Sequence, residues 1–160
     1  PSLLSGFIRF NTSKLFQAIK FFCYKDQVSK TKINKLLFYA DFKHFKDNGV
    51  SISGARYAHA YYGPVPDQFN TWLTAISEWD KQITIEEQAF GDLVGEVYTS
   101  GEPDWSVFST SELATLAFVK DKFQKYSARQ IRDFSHQEKG YQDTIDGEII
   151  SYQYAQELQI

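Results

Sequence analysis

Few side chains in this sequence have a type and spacing that could do chemistry. The possible metal ligands are His44, His59 and His136, the lone Cys23 and several carboxylates. No two histidines lie close enough in sequence to clamp an ion locally, and there is no Cys-x-x-Cys pair. Asp41 and His44, three apart, can share a helix face. That spacing more often gives a hydrogen-bonded pair than a metal site, and it falls short of a full ligand set, so neither a metal nor any other cofactor is expected. Ser135 adjoins His136, but a catalytic triad needs a nucleophile bonded to a base that a third group orients. Ser135 with Glu138 has capping-box spacing, which accounts for both without catalysis. No Gly-x-Ser-x-Gly elbow or Gly-x-x-x-x-Gly-Lys loop is present. Glu86-Glu87 reads as a solvated strand end, and Asp143, Asp146 and Glu148 cluster at a turn. No catalytic residues are assigned and the chain is not expected to be an enzyme.

The aromatic run Tyr57, His59, Tyr61 and Tyr62 is a better candidate, for binding. These side chains join apolar area to polar tips, and Tyr and Arg are enriched where proteins hold one another. They alternate along an expected strand, Ala55 to Tyr62, that Gly63-Pro64-Val65-Pro66 should stop. An edge strand here could accept a partner strand. Arg129 and Arg132, at i and i+3, could pair with Asp133 or with a partner's carboxylate, a contact worth little if exposed.

These residues need elements to hold them. Thr31 to Phe42 turns apolar on nearly every side, the mark of a central, buried helix. Asp41 then sits on a core helix, where a carboxylate must be hydrogen-bonded; it is expected to accept from buried Tyr or His donors and tie the helix to the strand. The helix should run from Ser29 to Asp47 and stop at Asn48-Gly49. Lys30, Lys32 and Lys35 give its start a basic face that is expected to meet solvent.

Around it, Asn11 or Thr12 caps a helix with Leu15, Phe16, Ile19, Phe22 and Cys23 on one stripe. Pro66 suits the first position of a helix carrying Phe69, Trp72, Leu73 and Ile76. Gln82 to Phe90 and Leu93 to Tyr98 read as a hairpin about Gly91-Asp92. Ser109 with Glu112, and Ser127 with Gln130, are capping boxes that open two more helices. Glu148-Ile149-Ile150 is a short extended segment, with a last helical piece from Ser151. The fold expected is α+β: a mostly helical single domain around a buried central helix, with a small antiparallel sheet.

Bulk properties agree. At 160 residues, 42% hydrophobic and 17% aromatic, the chain suits one domain with an aromatic core. A net charge of −3, mixed along the sequence, lowers the expectation of nucleic-acid binding. One cysteine fits a reducing cytoplasm, and Cys23 among Phe21, Phe22 and Tyr24 reads as a small buried hydrophobe. No apolar run approaches the ~20 residues of a membrane span. Pro1 leads and Met is absent, so residues 1–10 are expected to be a linker remnant of a larger protein, with 11–160 the domain.

Five segments in order carry a family resemblance: Thr31 to Phe42, Ser51 to Tyr57, Tyr62 to Asp67, Phe134 to Lys139 and Gly147 to Tyr152. Together they resemble the Panacea domain of SocA-like antitoxins, also met as phage-associated proteins. The resemblance implies an antitoxin of a type II toxin–antitoxin system that neutralises a cognate protein toxin by direct contact. It supplies no settled catalytic residues. The contact face is expected at Arg56, Tyr57, His59, Tyr61, Tyr62 and Asp67, with Arg129, Arg132 and His136 as a second candidate. Two alternatives stand beside this. The chain could deliver a toxin to a protease, or be the sensing half of a repressor that reaches DNA only through a missing N-terminal domain.

Overall fold

The computed structural model describes residues 1–91 and 93–160. Helix α1 (Thr12–Cys23) starts where Asn11 Oδ1 accepts the Lys14 N–H, and it buries Leu15, Phe16, Ile19, Phe22 and Cys23. Burial pushes the Cys23 thiol up to about 12, so it packs as an apolar group. Strand β1 (Val28–Ser29) was not foreseen. Ser29 then caps α2 (Lys30–Asn48) by accepting the Lys32 N–H, and Gly49, left-handed at φ 80°, ends it. Every residue of α2 from Ile33 to Phe42 is buried, which makes it the axis of the core. Lys35 is among them, so the basic start of α2 does not face solvent as a whole.

Strands β2 (Tyr57–Ala60) and β3 (Gly63–Pro66) form an antiparallel hairpin running from Tyr57↔Pro66 to Ala60↔Gly63. The Gly-Pro-Val-Pro stretch expected to stop a strand is therefore itself a strand, and Tyr61-Tyr62 is the turn. The reason lies on the far edge of β2. His59 N–H donates to Glu148 O (2.8 Å) and Tyr57 O accepts Ile150 N–H (2.7 Å). Pro64 and Pro66, opposite His59 and Tyr57, thus sit at positions that do not bond across the hairpin, where a missing N–H costs nothing. The same pairing covers β2 on both sides, so it offers no free edge to a partner strand.

Helix α3 (Phe69–Trp79) begins after a left-handed Gln68, which leaves Pro66 in the strand and not in the first turn of the helix. Strands β4 (Ile83–Phe90) and β5 (Leu93–Ser100) pair from Ile83↔Ser100 to Phe90↔Leu93, and the three-stranded sheet has the order β1-β5-β4. The turn expected at Gly91-Asp92 includes Asp92, which lies outside the described residues. Helices α4 (Thr110–Phe123) and α5 (Ala128–His136) both open on reciprocal capping boxes, Ser109 with Glu112 and Ser127 with Gln130. A single-turn helix α6 (Lys139–Gln142) and a 3-10 helix over Tyr152–Glu157 complete the chain.

The architecture is α+β, with two small antiparallel sheets flanking a helical core. Helix α2 packs against α1, β3, α4, α5 and the C-terminal 3-10 helix. Aromatics fill the joints: Phe42 stacks on Tyr152 at 4.2 Å, and Phe38 lies 5.6 Å from Tyr57. The first ten residues are docked on this body. Ser51 N–H donates to Gly6 O, Ser51 Oγ to Ser5 O and Tyr152 N–H to Leu3 O. No helix among the described residues is long and apolar enough to cross a membrane.

Candidate functional site

Two charged residues six apart on α2 define opposite environments. Asp41, 2% exposed, accepts four hydrogen bonds: Ile52 N–H and Ser53 N–H at 2.8 Å, Ser53 Oγ–H at 2.6 Å and Tyr57 Oη–H at 2.6 Å. Burial pushes its carboxyl above the usual range while these donors pull it back. His44 turns elsewhere, its ring nitrogens bonded to Val50 O (2.7 Å) and Ser111 Oγ (3.0 Å). Asp41 and His44 are therefore not a pair, and no cluster of three metal-ligating side chains occurs among the described residues.

Lys35 is the counterpart. It is 1% exposed, and its Nζ donates to the neutral amide oxygen of Asn34 at 2.6 Å. Burial, reinforced by the nearby Arg132 guanidinium, lowers its pKa to about 7. The β2–β3 hairpin sits directly on it. A Cβ on Gly63 would lie 2.7 Å from Lys35 Cε and 2.6 Å from Ser135 Oγ, and the φ of +106° also favours glycine there. Gly63 thus lets β3 close against α2 and α5.

The same closure brings some residues of the two candidate contact faces together. His59 stacks on Tyr141 at 3.8 Å and 8°, and Tyr141 stacks on His136 at 4.7 Å and 1°. Tyr141 Oη–H donates to Ala60 O at 2.7 Å, and His59 Nδ1 meets Thr144 Oγ1 at 2.9 Å. At the tip, Tyr61 and Tyr62 are 79% and 56% exposed and meet edge to face at 4.9 Å. Arg132 lies 5.8 Å from the Tyr62 ring centroid and pairs with Asp133 at 3.1 Å. His59, Tyr61, Tyr62, Arg132 and His136 therefore share one face.

Other expected residues lie elsewhere. Tyr57 is fully buried, its hydroxyl committed to Asp41. It is a core donor and leaves the contact set, because the alternation that exposes the tip turns this side chain inward. Arg56 and Asp67 are joined by Asp67 N–H to Arg56 O (2.8 Å) and line a separate cavity of about 340 Å³ against Arg9, Phe10 and Trp72. Arg129 is exposed on α5 and forms no ion pair among the described residues.

Ser135 and Glu138 do not form a capping box. Ser135 is buried and donates to Arg132 O at 2.7 Å. The Glu138 carboxylate, its pKa raised by burial, accepts from Tyr39 Oη–H at 3.3 Å and Gln159 Nε2–H at 2.5 Å. It is a structural acid inside the core. His136 Nε2 is buried with no partner among the described residues, and burial followed by Arg132 lowers its pKa.

Lys35 and the exposed tip of the β4–β5 hairpin (Phe90, Leu93 and Val94) were missed from sequence. For Lys35 the signal was present: the all-round apolar pattern that makes Asp41 a buried acid encloses Lys35 as well.

A family model described as the SocA-like antitoxin, Panacea domain matches residues 33–142, more than half of the chain. The matched span includes α2 from Ile33 onward, the β2–β3 hairpin and α5. No curated protein and no solved structure gives a significant match.

Proposed function

The chain belongs to the SocA-like Panacea antitoxin family, and on that premise we propose that it is the antitoxin of a type II toxin–antitoxin system. In this reading it is a non-enzymatic cytoplasmic protein, with residues 11–160 as the working unit. It neutralises a separately encoded protein toxin by direct binding. The observation that carries the reading is the tip of the β2–β3 hairpin. Tyr61 and Tyr62 stand largely in solvent, yet the backbone beneath them is held by the Tyr141 bond to Ala60 and packed closely at Gly63, and Arg132 lies over the Tyr62 ring. Rigid, exposed tyrosines beside an arginine bury area at small entropic cost, as binding hot spots do.

The test is co-expression with the small protein encoded beside this chain, scoring growth rescue and co-purification together. Rescue with a stable complex, both lost in Tyr62→Ala/Arg132→Ala, supports the reading. Growth arrest despite a soluble, folded chain contradicts it, and rescue without a complex favours delivery to a protease or repression.

A second surface has its own support. β4 is a sheet edge beside the exposed Phe90, Leu93 and Val94, and an edge with apolar side chains suits strand addition by a partner. Loss of co-purification in Leu93→Asp but not in Tyr62→Ala/Arg132→Ala would move the contact there.

A further inference from the structure

Lys35 is a buried charge with no counter-charge among the described residues. Four other lysines drawn into the body are answered. Lys20 meets Asp80 at 2.7 Å, Lys14 meets Glu112 at 2.8 Å, and Lys46 and Lys120 each donate to two backbone carbonyls. An ammonium has three donors, and Lys35 uses one, on a neutral amide. No carboxylate among the described residues forms an ion pair with it, while Arg132 adds to the positive field. Such a group is expensive to keep unless something else completes it.

Lys35 also lines a cleft of about 680 Å³ between the start of α2, the hairpin and the start of α3. Lys30 and Thr31, in the first turn of the 19-residue α2, line it too, so the positive end of a long helix borders the same space. Its walls are otherwise mixed: hydroxyls and amides, the Tyr61 and Tyr62 side chains, an apolar part from Ala58, Ala60, Val65, Pro66 and Phe69, and Asp67 as the one acid. Two lysines, a helix N-terminus and neutral donors suit a dianion with several acceptor oxygens better than a single carboxylate. The space is also larger than a bare phosphate needs, and an aromatic pair stands at its mouth.

We propose that this cleft binds a small phosphorylated ligand of about nucleoside-monophosphate size, with its phosphate on Lys35 and Lys30 and its organic part beside Tyr62. The site stands independently of the toxin-binding reading, because it is assembled within one chain.

The test is calorimetric titration of the full chain with inorganic phosphate and with AMP, at ionic strength held constant with sodium chloride. Both probes bind the wild-type chain. Equal affinities mean that the site takes free phosphate, and tighter AMP binding means that it also reads the organic part. Lys35→Met weakens binding at least tenfold and Lys30→Gln several-fold, while Lys25→Met, exposed and outside the cleft, changes nothing. Circular dichroism checks that each variant is folded; should Lys35→Met fail to fold, Lys30→Gln decides. Absence of heat with both probes on the wild-type chain overturns the proposal, as does unchanged AMP affinity in Lys30→Gln and in a folded Lys35→Met.

Discussion

The two ends of α2 bury opposite charges in opposite ways. Toward the C-terminal end, Asp41 is saturated: two backbone N–H groups and two hydroxyls converge on it from the Ile52–Ser53 loop and Tyr57. Toward the N-terminal end, Lys35 has one neutral amide and faces a cleft. A saturated buried charge ties elements together and leaves nothing for a ligand. An unsaturated one weakens the fold and leaves donors unspent. The contrast assigns Asp41 to architecture and Lys35 to binding.

The largest blow to this contrast should come from Asp41→Ala, which strands four donors in the buried core. It is expected to cost about 3–5 kcal/mol in urea denaturation, and a loss under 1 kcal/mol would mean the hub ties little together. Next is Gly63→Ala, where the new methyl meets Ser135 and Lys35 in a backbone conformation alanine resists. A cost of about 2–4 kcal/mol is expected, with loosening of the hairpin visible as faster amide exchange at β2 and β3.

Lys35 gives a pH signature. Its pKa falls from the ordinary 10.5 to about 7 in the folded chain, so between those values the unfolded chain binds more protons and stability rises with pH. Removing the amine removes the effect. Between pH 7.5 and 9.5 the wild-type chain should gain on Lys35→Met by roughly 1 kcal/mol per pH unit. The charged groups beside it, Arg132 and His136, both on α5, do not supply the same slope: the guanidinium does not titrate there, and the His136 pKa lies below the window. Parallel curves would show that Lys35 titrates normally.

A smaller effect sharpens the Asp41 side. Tyr57→Phe deletes one of its four donors and keeps the ring, so about 1–2 kcal/mol is expected by thermal or chemical melting. The smallest belongs to the surface: Tyr62→Ala should move stability by no more than about 0.5 kcal/mol. A larger change would make Tyr62 a structural residue and weaken its place on the contact face.

Much of this arrangement was legible in the sequence. The helices were readable because caps, boxes and apolar stripes are local signals: Asn11, Ser109 and Ser127 each cap where their spacing says. The long hairpin was readable by alternation. The β2–β3 hairpin was not, because proline spacing reads as a stop. Only the partner segment 147–150, some 90 residues away, reveals that Pro64 and Pro66 sit where no N–H is needed. Lys35 was hidden by a rule of composition, that lysines near the start of a helix face water, although the apolar pattern around it said otherwise. The inward turn of Tyr57 and the stack of His59, Tyr141 and His136 are tertiary facts with no local trace.

The most direct measurement is the urea stability of Asp41→Ala and Lys35→Met, side by side with the wild-type chain at pH 7. Opposite signs are expected: Asp41→Ala is destabilised, and Lys35→Met is stabilised by about 1–3 kcal/mol, because a buried, unanswered charge gives way to a thioether of similar length. Destabilisation of both to a similar extent would contradict this, and would make Lys35 as much a part of the architecture as Asp41.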